Sequence, residues 1–70
     1  MSIEKRILKV LKAIAADKEM SLGDLLEGIV LHSFEGKTPF EPDTLAFIEV
    51  MKRSFKLDLT ASDSHKLDEK

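Results

Sequence analysis

Seventy residues with 43% hydrophobic and 34% charged content describe one folded domain, too apolar for intrinsic disorder. The absence of cysteine excludes disulfides and thiolate metal sites, and a net charge of −2 removes the simplest electrostatic case for a nucleic-acid partner. A chain this short buries only about 60% of the surface its unfolded form exposes, which leaves oligomerisation or unusually good helix packing as its source of stability.

The first predicted helix covers about 3–17. Ile3, Ile7, Val10, Leu11 and Ile14 recur at helical spacing, with Leu8 and Ala15 widening the stripe to an arc of roughly 160°. Ser2 is its candidate N-cap. Lys5, Arg6, Lys9 and Lys12 fall on the opposite face, where they could meet phosphates; such a charge run is more often simply a solvated face.

A second helix is predicted over 21–34, and the rest of the chain is organised around it. Ser21 followed by Asp24 has the pattern of a capping box, and Met20 ahead of the cap is placed to staple onto Leu25. Leu22, Leu25, Leu26, Ile29, Val30 and Phe34 form a face wider than a lone amphipathic helix requires, with Leu31 outside it beside Asp24 and Glu27. That excess predicts a core shared with a second copy of the chain, these six residues forming the dimer interface. Gly23 and Gly28 each weaken the helix by roughly 0.5–1 kcal/mol relative to alanine, which predicts close approach of a neighbouring helix. Gly36 then serves as a left-handed cap.

Thr38-Pro39-Phe40-Glu41-Pro42 carries two overlapping start signals, read as a single turn followed by a third helix over about 42–55. Phe40 is expected to tuck into the core. Leu45, Phe47, Ile48, Met51 and Phe55 share the core face, while Glu49, Arg53 and Lys56 point away. Thr60 to Asp63 repeats the capping-box pattern and predicts a short last helix over about 61–67. The fold class is therefore all-α within a single domain over 1–70, with 1–36 as a helix pair and 37–70 as additional helices covering its core.

The residues offer little for catalysis or for metal. His32 and His65 have no second ligand at metal spacing on their own helices; His32 is expected to be a half-buried structural residue and His65 a helix-end cation. Ser21, Ser33, Ser54, Ser62 and Ser64 read as caps or helix surface, and no glycine-rich phosphate loop is present. No apolar run approaches the ~18 residues of a membrane span and no signal-peptide core opens the sequence, so a cytoplasmic location is expected. No enzyme activity and no cofactor are predicted.

The succession from Ile7 to Ala16, then Glu19 to Val30, resembles the helix pair of ribbon-helix-helix proteins over about residues 4–34. Ser21 matches the family's cap, and Leu22, Leu25, Leu26, Ile29 and Val30 match its dimer-core positions. The resemblance implies an intertwined homodimer built on the second helix. It does not extend to the base-reading strand: only Met1-Ser2-Ile3 stand ahead of the first helix, and Asp24 and Glu27 would repel phosphate where family members bind it. The reading is thus a non-enzymatic homodimerising interaction module, suited to a regulatory system. The alternatives are a ribbon-helix-helix-like DNA-binding transcriptional regulator, using Lys5, Arg6, Lys9 and Lys12, or an antitoxin-like protein that binds another protein.

Overall fold

In the computed structural model, which describes residues 2–63, the helical periodicities become three helices of thirteen residues each. These are α1 (Lys5–Asp17), α2 (Leu22–Phe34) and α3 (Pro42–Ser54). Residues 61–63 add the start of a short fourth helix, and the remainder of the predicted span 61–67 lies outside the described residues. The architecture is all-α, with no strand among the described residues.

The organising helix within the chain is α1. It packs against both α2 and α3, which do not pack against each other. Val10, Ile14 and Ala15 of α1 form the buried core with Leu25 of α2, and Phe47 and Met51 of α3, with Phe55 at its C-cap, close over it together with Phe40 from the α2–α3 connection. The expectation that α2 centres the core is therefore corrected for the single chain. The physical reason is geometric: α1 lies between two helices and buries a wide arc, whereas α2 has a neighbour on one side only.

Helix starts follow local chemistry. The α1 cap is Glu4, not Ser2; its carboxylate accepts from the Arg6 amide at 2.6 Å and the Ile7 amide at 3.1 Å, so Ile3 stands ahead of the helix. Ser21 caps α2 as predicted, its hydroxyl accepting from the Asp24 amide at 3.1 Å. For α3 the extended Glu41 precedes Pro42 at the first position and makes no side-chain cap bond; the predicted extra turn over 38–41 is a bend instead. The missing amide of proline removes one orphan donor there, so a side-chain cap matters less. At the fourth start, the Asp63 carboxylate accepts from the Thr60 amide at 2.7 Å, as the capping-box pattern requires.

The three helices end alike. In each, a residue with positive φ follows the C-cap: Glu19 (55°), Gly36 (70°) and Lys56 (57°). The next amide then reaches back across the last turn, from Met20 to the Ala15 carbonyl, from Lys37 to His32 and from Leu57 to Lys52, at 3.0, 2.9 and 2.8 Å. This is the Schellman pattern, and only at Gly36 does the residue suit the backbone without strain.

Two further expectations are corrected. A Cβ built on Gly23 or Gly28 meets nothing within 4 Å, so no helix of the same chain approaches them closely. On α3, Thr44 is buried at 9% exposure and Leu45 stands out at 44%, the reverse of the predicted core face at that end. At 100° per residue Thr44 lies about 20° from Met51, whereas Leu45 lies about 120° from it.

Candidate interaction surface

Among the described residues, the surface of α2 away from α1 carries three exposed large hydrophobic side chains, Val30, Leu31 and Phe34, the last of them the most exposed. Leu25 is its one buried residue at 5% exposure, and Ile29 packs against the core beside it. Leu22 and Leu26 are half-buried. Beyond them Val30 is 44% exposed, Leu31 61% and Phe34 80%. The six residues predicted to form the dimer interface thus divide, with Leu25 and Ile29 serving the chain's own core and Val30 and Phe34 facing outward.

Leu26, Glu27, Val30 and Leu31 border a shallow hollow on this outward face. Leu31, His32, Glu35 and Lys37 border a smaller one at the C-terminal end of the helix. Glu27 has no ion-pair partner among the described residues, while Lys37 Nζ lies 3.0 Å from Glu35 Oε1. A contiguous apolar patch rimmed by charge is the usual form of a protein-binding surface. His32 is exposed rather than half-buried; its Nδ1 donates to the Gly28 carbonyl at 2.7 Å, an in-helix bond that fixes the ring without a metal or a substrate.

The basic face of α1 is less available than its sequence suggests. Arg6 donates through Nε to Glu4 Oε2 at 2.9 Å, and through Nη1 to the Lys56 carbonyl at 2.9 Å and Asp58 Oδ1 at 3.2 Å. Its side-chain hydrogen bond holds the Glu4 carboxyl below the usual carboxylate range, against the opposing effect of desolvation, and Glu4 in turn raises Arg6. Lys9 Nζ lies 5.9 Å from the centroid of the Phe55 ring, within reach of a cation–π attraction. Lys5 and Lys12 are exposed. Two of the four candidate phosphate contacts therefore have partners of their own inside the chain.

No group of three or more histidine, cysteine or acidic residues that could hold a metal ion occurs among the described residues, and no described helix is long and apolar enough to cross a membrane. His65 lies outside the described residues. Comparison of the chain with protein families, curated proteins and solved structures found no match.

The sequence missed the Arg6 tie, whose partners lie 50 and 52 positions away. It also missed the left-handed caps at Glu19 and Lys56. A signal for these existed: each helix pattern ends in a polar residue followed at once by an apolar one, Met20 or Leu57, as Schellman ends favour.

Proposed function

We propose that this chain is a non-enzymatic interaction module that self-associates through the outward face of α2, as a component of a regulatory system. The observation that carries the reading is Phe34, 80% exposed at the end of the most apolar helix and continuous with exposed Val30 and Leu31. A large aromatic side chain carries roughly 150–250 Å² of surface and is rarely left in water without a partner. Small size with no disulfide supports the same reading, because a second copy adds the core that one copy lacks.

The DNA-binding alternative is weakened by the engagement of Arg6 with Glu4 and Asp58. Sedimentation equilibrium across about 1–100 µM tests the proposal, since a module of this kind has a dissociation constant within or below that range. A concentration-dependent or constant dimer is the expected result. A monomer throughout overturns the reading.

A further inference from the structure

A further cavity lies on the side of α2 away from Val30 and Phe34, between that helix, the end of α1 and the α2–α3 connection. It holds about 180 Å³, with Leu25, Ile29 and Phe40 as its apolar floor and exposed Lys18, Asp24 and His32 at its rim. Drug-sized ligands fill about 300–1,000 Å³, so this space suits a smaller metabolite. Asp24, Gly28 and His32 follow one another at four-residue spacing, about 40° apart around the helix, and form one stripe along the cavity. A Cβ built on Gly28 meets nothing within 4 Å, although glycine there costs the helix stability. No packing contact requires that gap, but the cavity does.

Lys18 closes α1 and Asp24 stands in the first turn of α2, so the turn between the helices sets opposite charges on one rim. They do not reach each other, and neither has an ion-pair partner among the described residues. His32 Nδ1 is committed to the Gly28 carbonyl, which leaves Nε2 as a second acceptor in the neutral ring. We infer that this cavity binds a free apolar α-amino acid of about leucine's size. Its ammonium lies at Asp24 and His32, its carboxylate at Lys18 and its side chain against Leu25, Ile29 and Phe40. An anion alone would be set against Asp24, and a cation alone against Lys18. A zwitterion satisfies both, because its two charges hang on one carbon atom. The cavity faces away from Val30 and Phe34, so the inference stands or falls independently of self-association.

Titration of the full chain with L-leucine, followed through its amide NMR shifts, tests the site. Shifts that saturate below about 10 mM and centre on Lys18, Asp24, Gly28 and Phe40 are the expected result. Leucinamide lacks the carboxylate and N-acetyl-leucine lacks the ammonium. Each should bind severalfold more weakly, as the loss of one solvent-exposed charge contact does. Lys18→Met and Asp24→Asn should each lower leucine affinity by a similar factor, and glycine as ligand should not saturate in the same range. Gly28→Ala puts a methyl group into the cavity. It should weaken binding while the melting temperature does not fall, which separates a blocked site from a damaged fold. No saturable shift with leucine, or undiminished binding by Gly28→Ala, overturns the site. Leucinamide or N-acetyl-leucine binding as tightly as leucine removes Lys18 or Asp24 from it and overturns the zwitterion.

Discussion

Leu25 and Phe34 stand on opposite sides of α2, one 5% exposed against α1 and the other 80% exposed to solvent. Nine residues at 100° each separate them by about 180°, so no single neighbouring helix covers both. Truncation should therefore separate their roles. Leu25→Ala leaves a void beside Val10, Ile14 and Ala15 and should destabilise the fold by about 2–5 kcal/mol, enough to unfold a domain this small. Phe34→Ser should leave the unfolding midpoint of the monomer within about 0.5 kcal/mol of the parent, because the side chain has little to lose. Chemical denaturation at dilution, where only monomer is present, measures both.

The left-handed caps offer a gain in stability. Glu19 and Lys56 hold φ of 55° and 57°, where a Cβ crowds the following carbonyl. Glu19→Gly and Lys56→Gly should each stabilise the fold by about 1 kcal/mol, raising the melting temperature by roughly 4–8 °C for a domain of this size. Gly36→Ala should shift it by a similar amount in the opposite direction, since Gly36 holds φ of 70°. Thermal unfolding followed by circular dichroism reads all three.

The charge clamp at the start of α1 gives the fold an acid limb. Glu4 has its carboxyl pKa lowered by the Arg6 hydrogen bond and by the amides of Arg6 and Ile7. A carboxylate depressed in the folded state adds stability above its unfolded pKa, about 4.3, and that contribution disappears as pH falls through the lower folded value. Arg6 is raised, so its share is complete at every pH below the ordinary guanidinium range and adds no slope near neutrality. Glu4→Gln should therefore flatten the decline of melting temperature below about pH 4.3 relative to the parent, with little change in its shape from pH 6 to 8. An unaltered acid limb in Glu4→Gln would remove the clamp from the account.

How far the sequence spoke depended on the range of the physics involved. Helix spans were legible because the apolar period of Ile7, Val10, Leu11 and Ile14 is local, and the caps at Ser21 and Thr60 were legible because each cap and its hydrogen-bond partner are three residues apart. The start of α1 departs from the Ser2 cap that its hydroxyl suggests because the longer Glu4 carboxylate, anchored by Arg6, reaches the first free amides instead. Which side of α3 faces inward was open to the same angular arithmetic. It was obscured because Leu45 is apolar and Thr44 is not, although Thr44 shares the Met51 side. The Arg6 reach to Lys56 and Asp58 left no sequence trace, since α1 and α3 meet only through tertiary packing. The outward apolar face of α2 was visible as an excess of Leu, Ile and Val. That Phe34 stands farthest out became clear only once Leu25 fixed the inward direction.

Gly28 separates helix stability from association. No atom lies within 4 Å of a Cβ built on it, and its φ is an ordinary helical one, so alanine fits without displacement. Gly28→Ala should stabilise α2 by about 0.5–1 kcal/mol through lower backbone freedom in the unfolded chain. At 100° per residue Gly28 lies about 160° from Val30 and about 120° from Phe34, well away from the outward ridge. The melting temperature should accordingly rise while the dimer dissociation constant stays unchanged. A stabilised monomer with markedly weaker dimerisation would instead place the partner helix against Gly28, on the side of α2 that the outward ridge does not occupy.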